Sequence, residues 1–295
     1  MGFKLFAPPF LSCPRCHPDP QRPVYCETNA FSYLGNRAYA GSRRSHCNHE
    51  FSLYSALRVT TRGHQLGLVN AFSHRRWESA LPVVPGEIAD IRIPVMPELK
   101  PFLAFATALG GQPFDAQIAI VAEDRAIAMT APLPAEPVNN EPPRLGITVH
   151  YHDSAAEIAW SSFLYESIAD YVAKRHWLAI VKLAASIEIF ADCLYDKYLR
   201  DKARVAPEVA MRIVEDGSSW EARFRRIEDL VTQLLPLEAH ARYASSHVFF
   251  RQSVRKPRQE FLRGAVEGWA YEEASRAFEA AFDVLWTFDE LNQLV

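Results

Sequence analysis

The second half of the chain carries the pattern that most restricts its fold. From Asp153 onward, apolar residues recur three and four positions apart, which is the spacing of side chains on one face of an α-helix. Asp153 or Ser154 is suited to cap the first of these helices, with Glu157 in its opening turn. Four amphipathic helices in succession predict an all-α bundle over residues 153–295. The helices are expected at 154–175, at 176–204, from Ser218 or Ser219 to Pro236, and at 271–292.

Residues 52–152 have a different pattern, because short β-type runs alternate there with clusters of Pro, Gly and Asn. Strands at roughly even spacing, separated by such turn signals, are typical of an antiparallel β-sandwich or barrel. We therefore predict a β-sandwich middle domain over residues 52–152 that serves as a binding or packing module, and its fold alone indicates no ligand. The predicted strands lie within 55–61, 64–72, 87–95, 102–109, 115–123, 125–131 and 145–152.

The last of these runs contains the string HYHD, with His150 and His152 two positions apart. Side chains alternate along a strand, so both histidines are expected on one face. They either contribute to a metal site or form a hydrogen-bonded strand end.

The string CPRCH, from Cys13 to His17, has two incompatible interpretations. C-x-x-C-H is the attachment signature of a c-type haem, whereas C-P-x-C is typical of a zinc knuckle. Haem attachment takes place outside the cytoplasm and needs an export signal. The start MGFKLFAPPFLS is too short for one and is interrupted by Pro8 and Pro9. The sequence therefore predicts zinc and a cytoplasmic protein.

A structural zinc ion takes four tetrahedral nitrogen or sulfur ligands, and residues 1–51 are predicted to form a zinc-ribbon-like module around it. Cys13 and Cys16 supply the knuckle, and Cys47 is expected to join them. The fourth ligand is either Cys26 or His49. The alternative is that these are reduced cysteines in a loop-rich module.

Charge and hydropathy limit the partners of the chain. The formal net charge is −3, so there is no global attraction to nucleic acid and any such binding must be local. Residues 240–263 form a local basic segment, with six lysines or arginines against Glu260 alone. No window approaches 18 consecutive apolar residues, so no membrane-spanning helix is expected.

The basic segment and the second helix together resemble a known family. Residues Arg255 to Gly264 read RKPRQEFLRG, close to the pattern R-x-x-R-N-x-x-x-H-G. The second helix contains the small-residue run LAASIEIF with Glu188. Over residues 155–293 the chain resembles the HEPN superfamily, in particular its Apea-like and related helical domains, with a degenerate motif.

Active HEPN proteins are dimeric, metal-independent endoribonucleases, in which an arginine and a histidine face a symmetry mate. The resemblance places Gln259 at the asparagine position and Arg263 at the histidine position. An arginine cannot exchange protons near neutral pH, so this departure argues against cleavage while leaving phosphate binding intact. The candidate catalytic residues are Arg258, Gln259 and Arg263, and the candidate nucleic-acid-binding residues are Arg251, Arg255, Lys256, Arg258 and Arg263.

Two alternatives for these residues remain open. Arg242 and His247 also have an arginine-to-histidine spacing suited to catalysis, or they are a capping or surface pair. The arginines of the basic segment either contact phosphate or pair with acids of the bundle. The acids within expected reach are Glu188, Asp192 and Glu260.

The combined pattern predicts a multidomain α+β protein with a homodimeric HEPN-like bundle that engages RNA. The resemblance implies a link to toxin, stress or anti-phage defence systems. The alternative is a non-catalytic adaptor, in which the zinc-ribbon-like module and the β-sandwich bind protein or nucleic acid and the bundle supplies a dimer interface. No G-x-S-x-G, G-x-x-x-x-G-K-[ST] or H-E-x-x-H motif is present, which argues against a triad hydrolase or a nucleotide-dependent enzyme.

Overall fold

A computed structural model gives the conformation of most of the chain beyond residue 52 and of short segments before it. The residues it describes are 5–6, 10–12, 25–27, 32–34, 37–39, 53–61, 65–110, 113–134, 141–153, 159–217, 219–264 and 271–295. Cys13, Cys16, Cys47 and His49 lie outside the described residues. Cys26 lies in a strand, but its side chain is not described.

The first part of the chain contains short strands and two helices. Its elements are β1 (Phe10–Ser12), β2 (Tyr25–Glu27), β3 (Ser32–Leu34), β4 (Arg37–Tyr39), α1 (Leu53–Thr61) and α2 (Gln65–Phe72). Strand β1 pairs with β2, and β3 pairs with β4 in antiparallel register.

The prediction of strands at 55–61 and 64–72 was wrong, because residues 55–61 belong to α1 and residues 65–72 form α2. In α2, Leu68 through Phe72 are all buried. A short continuous apolar run is compatible with a buried strand or a buried helix, and periodicity cannot separate the two. In α1, the β-branched residues Val59 to Thr61 favour a strand locally, yet the helix forms.

The six strands that follow are β5 (Arg75–Pro82), β6 (Ile88–Arg92), β7 (Leu99–Leu109), β8 (Phe114–Ala122), β9 (Arg125–Pro132) and β10 (Arg144–Asp153). They form two three-stranded antiparallel sheets, in the orders β5-β10-β7 and β6-β9-β8. Side chains of both sheets, among them Ile91, Ala128 and Val149, belong to one hydrophobic cluster. Antiparallel sheets were predicted here and are confirmed, although β5 had not been predicted.

The described residues after β10 are mostly helical. The helices are α3 (Ala159–Val172), α4 (His176–Asp201), α5 (Pro207–Asp216), α6 (Trp220–Leu234), α7 (Leu237–Phe250), α8 (Lys256–Leu262) and α9 (Tyr271–Leu294). The four predicted helices are confirmed as α3, α4, α6 and α9, whereas α5 and α7 had not been predicted. A π turn, Arg251–Arg255, joins α7 to α8. Among the described helices, none has both the length and the apolar content needed to cross a membrane.

The start of α6 lies where the sequence predicts it. Ser219 caps α6, and its hydroxyl oxygen accepts a hydrogen bond of 3.2 Å from the Ala222 N–H. Asp153 is the last residue of β10, and the described part of α3 begins at Ala159. The pairing of Asp153 with Leu99 of β7 extends the strand to this point. Ser154 and Glu157 lie outside the described residues.

Small residues in α4 allow close packing in the helical core. Ala184 and Ser186 are fully buried, and the Ser186 hydroxyl donates to the Trp160 carbonyl at 2.7 Å. The Trp160 ring stacks on Phe190 with centroids 3.9 Å apart, and Phe190 meets Phe288 edge-on. The alanine-rich run of the second predicted helix therefore has a packing role.

The described elements fall into two compact units. One unit contains α1 and α3 to α9, and the other contains the two three-stranded sheets. In the helical unit, α1 is tied to α9, because the Tyr54 hydroxyl donates to Asp283 at 2.7 Å and Arg58 pairs with the same carboxylate.

Candidate anion-binding pocket

One continuous helical stretch, from α7 through the π turn to α8, presents a row of polar side chains. His247, Arg251, Arg255 and Gln259 follow one another at intervals of four residues. In a regular α-helix four residues overshoot one turn, so such a row winds around the axis by about 40° per step. The π turn is wider, with the Lys256 N–H donating to the Arg251 carbonyl, and it offsets part of this drift. The row therefore stays on one side.

These side chains line an open pocket of about 560 Å³, which we call the basic pocket. Three of its lining residues are cationic and one is a carboxylate. Three positive charges against one negative charge leave a formal net charge of +2, with the histidine neutral. The lining residues are Glu221, His247, Val248, Arg251, Gln252, Arg255, Lys256 and Gln259.

Arg255 is fixed in the wall of the basic pocket by two neighbours from α6. Its Nη1 lies 2.5 Å from the Glu221 carboxylate, and its guanidinium lies over the Trp220 ring at 5.1 Å. The hydrogen bond from Arg255 lowers the pKa of Glu221. Glu221 is therefore ionised near neutral pH, and its charge is directed at Arg255.

The other two cationic residues of the pocket are more available to a ligand than Arg255 is. Arg251 is exposed, and among the described residues no carboxylate lies within salt-bridge distance of it. Lys256 has a side chain 73% exposed, and its nearest acid is Glu260 at 3.9 Å. Such pairs contribute little, so Arg251 and Lys256 can both meet a ligand.

His247 is held between aromatic rings at the edge of the pocket. Its ring is nearly parallel to Phe224, with centroids 4.8 Å apart, and to Tyr243, at 5.8 Å. Burial lowers its pKa below the ordinary value, so the ring is neutral at pH 7. Its Nε2 is buried and has no hydrogen-bond partner among the described residues. Nδ1 is therefore the ring nitrogen that can meet a ligand.

Arg258, the motif arginine, points away from the basic pocket and into the bundle. Its Nη1 hydrogen-bonds Glu188 of α4, and the same carboxylate lies 3.7 Å from Arg223. Arg223 also binds Asp192 at 2.8 Å. Of the two alternatives for the arginines of the basic segment, phosphate contact or pairing with acids of the bundle, Arg258 follows the second, because its charge is balanced by Glu188.

The remaining motif residues lie at the end of α8. Gln259 lines the basic pocket, whereas Arg263 is exposed and is not among the lining residues. Gly264 has φ of +70°, the left-handed conformation that ends many helices and that glycine adopts without strain. The retained glycine of the motif therefore has a local structural explanation.

Arg242 and His247, the alternative catalytic pair, do not lie in one site. Arg242 hydrogen-bonds Glu290 of α9, and its guanidinium lies 5.1 Å from the centre of the Tyr54 ring. His247 lines the basic pocket, and Arg242 does not. They lie five positions apart on one helix, so they point in different directions.

Sequence reasoning missed three residues of the pocket: Glu221, Val248 and Gln252. Gln252 and Val248 follow the same four-residue interval as Lys256, a signal that was available. Glu221 is contributed by another helix, and nothing in its own segment indicates the contact.

The two histidines of the HYHD string lie on one side of β10, as predicted. Both rings lie near Phe102, with centroids 6.4 Å from His150 and 5.9 Å from His152. His150 Nδ1 lies 3.1 Å from the Ser73 hydroxyl, and His152 Nδ1 lies 2.9 Å from the Asp153 carbonyl. In the part of the chain that the structure describes, no group of three metal-ligating side chains occurs.

Comparisons with models of protein families, with curated proteins and with solved structures found no match to this chain. The resemblance to the HEPN superfamily therefore stays a prediction. A proposal for the function of this protein therefore depends on the residues of the basic pocket.

Proposed function

We propose that this protein is a HEPN-like, RNA-associated protein that binds RNA phosphate groups in the basic pocket without cleaving them. The observation that carries the proposal is the convergence of Arg251, Arg255 and Lys256 on one pocket around a π turn. π turns within α-helices frequently mark functional sites. The choice of RNA rests on the family resemblance.

The chemistry of the pocket suits phosphate. Guanidinium groups form paired hydrogen bonds with phosphate oxygens, and an ammonium group adds a point charge. The amides of Gln252 and Gln259 both donate and accept hydrogen bonds, so they can contact sugar hydroxyls or base edges. The chain has a net charge of −3, so it can attract a phosphate only through a local positive charge. The charge of +2 in the basic pocket provides one.

Binding without cleavage is supported by the state of the motif residues. General acid–base cleavage needs groups that exchange protons near pH 7. Arg258 is engaged by Glu188, and Arg263 stands where an active member has its histidine. Neither guanidinium exchanges protons near neutral pH.

The test is fluorescence anisotropy with a labelled single-stranded RNA, comparing Arg251→Ala with Arg212→Ala. Arg212 is an exposed arginine of α5 that does not line the pocket. Loss of one charge-assisted contact is expected to weaken binding about tenfold in Arg251→Ala and to reduce the salt dependence by about one ion. Arg212→Ala should bind like the unmodified protein. Equal affinities for all three proteins, or no binding by any, would refute the proposal.

A non-catalytic adaptor is the second candidate, favoured by an exposed apolar surface on the β6-β9-β8 sheet. Ile88 and Met129 are directly opposite in register and are 69% and 56% exposed. Exposed apolar side chains that cluster on one face are typical of partner-binding surfaces. In this account the sheets bind a protein and the helical bundle is a dimer interface. Dimerisation measured by light scattering, with no RNA binding or RNA cleavage, would favour it.

Other parts of the proposal rest on the sequence alone. They are the cytoplasmic location, the homodimer, the link to toxin, stress or anti-phage defence, and a structural zinc ion. The zinc ligands proposed are Cys13, Cys16, Cys47 and either Cys26 or His49.

A further inference from the structure

The hydrogen-bonding state of His247 indicates what kind of ligand atom the pocket can accept. Nε2 is buried and has no partner within the described residues. A buried N–H without an acceptor is rarer in proteins than a buried acceptor without a donor. The favoured tautomer of the neutral ring therefore keeps Nε2 unprotonated and carries its hydrogen on Nδ1. His247 then offers the pocket a donor.

The other polar side chains of the pocket also present donors. The guanidinium of Arg251 and the ammonium of Lys256 have no acceptor capacity, and the amides of Gln252 and Gln259 each carry two N–H groups. The single carboxylate, Glu221, is already engaged by Arg255. The lining therefore favours a ligand with several acceptor oxygens and a negative charge.

Phosphomonoesters and phosphodiesters differ in their number of free acceptor oxygens and in their negative charge. A phosphomonoester has three free oxygens and a charge of about −1.5 to −2 at pH 7, whereas a phosphodiester within a strand has two free oxygens and a single charge. The net charge of +2 in the lining matches the monoester better. A strand that crossed the pocket would also bring a further phosphate towards Glu221, whose side chain is 55% exposed.

We propose that the basic pocket takes the terminal phosphomonoester of an RNA strand in preference to internal phosphodiesters. This inference rests on the proposed function, because it assumes that RNA is the ligand. Arg251 is the principal specificity determinant, since its guanidinium has no ion-pair partner among the described residues and can form a fork with two terminal oxygens.

The experiment compares short RNAs of one sequence that differ only at their ends. One pair carries a 5′-phosphate or a 5′-hydroxyl with the fluorophore at the 3′ end, and a second pair exchanges the two ends. Anisotropy is measured with the unmodified full chain, with Arg251→Ala and with Arg212→Ala. The expected result is about tenfold tighter binding of a phosphorylated end in the unmodified chain and in Arg212→Ala. Arg251→Ala should lose this preference.

The outcomes separate this inference from the proposed function. Equal affinity for phosphorylated and hydroxyl ends, with binding still weakened by Arg251→Ala, overturns the terminal-phosphate inference alone. A preference for phosphorylated ends that survives in Arg251→Ala also overturns it, because another site must then provide the preference. Absence of binding to any of the RNAs refutes the proposed function and this inference together.

Discussion

Replacing His150 by asparagine is expected to reduce the loss of stability that the two sheets suffer in acid. His150 is 4% exposed and donates from Nδ1 to the Ser73 hydroxyl oxygen at 3.1 Å. The Ser73 hydroxyl in turn donates to the Arg75 carbonyl at 3.0 Å, so it is an acceptor toward the histidine. The ring is thus fitted to its site in the neutral form.

The pKa of His150 determines how much stability the sheets lose in acid. Burial, with a smaller contribution from the charge of Arg76, lowers this pKa from 6.5 to about 3. Below pH 6.5 the unfolded chain takes up a proton that the folded chain excludes, so stability present above pH 6.5 is lost as the pH falls toward 3. Each pH unit in this window costs about 1.4 kcal/mol. The fall from pH 7 to pH 5 should therefore remove about 2 kcal/mol through this residue.

Asparagine is the appropriate replacement because its amide N–H occupies the place of the Nδ1–H and cannot titrate. His150→Asn changes packing as well, so the readout is the change of stability with pH and not the stability itself. His152, whose pKa burial lowers to about 4, is present in both proteins. The difference between the two pH profiles consequently isolates His150.

Urea unfolding at several pH values, followed by pulsed hydrogen exchange of β10 peptides, measures the free energy of unfolding of the sheets. The expected result is that the unmodified chain loses about 2 kcal/mol more than His150→Asn between pH 7 and pH 5. Parallel profiles would show that His150 is not held neutral by burial, and would refute the reasoning.

Three further predictions test the ion pair, the motif glycine and the cysteines. Glu188→Ala leaves the Arg258 guanidinium half-buried without its carboxylate and should lower the free energy of unfolding by about 2 kcal/mol in urea titrations; a loss no larger than that of an exposed glutamate would contradict it. Gly264→Ala adds a methyl group into open space at φ of +70°, so thermal unfolding should reveal a backbone cost of about 1 kcal/mol, and an unchanged melting temperature would count against it. Protein purified without chelators should contain zinc by elemental analysis, and Cys16→Ser should lose it; a zinc-free unmodified chain would exclude the predicted ligand set.

The elements that were predictable are those with long, regular patterns. Helices α4 and α9 repeat their apolar spacing over many turns, and Ser219 marks the start of α6 by capping it. The strands from β6 to β10 were predictable from β-type runs between turn residues. Helices α1 and α2 were not, because eight or nine residues give too few repeats to distinguish helix from strand.

The positive charges of the candidate site were predictable from the sequence, but which of the charged residues line the pocket and which pair within the bundle was not. The basic segment with Arg251, Arg255 and Lys256 was apparent in the sequence, and these residues line one pocket. Pairing of the arginines of this segment with Glu188 was one of two open alternatives, and local sequence could not decide that Arg258 would be the arginine to pair with it, because the two residues are 70 positions apart. Local sequence also gave no sign that His247 belongs to the pocket and Arg242 does not.

The sequence by itself determined helices α3, α4, α6 and α9, the strands from β6 to β10, and the segment that is rich in positive charge. These properties follow from the periodicity and composition of neighbouring residues. The tertiary structure decided which arginines are neutralised, which remain available, and that His247 and His150 are neutral. Those properties depend on burial and on contacts between residues far apart in the chain, because the free energy of a charge is set by its distance from other charges and from water.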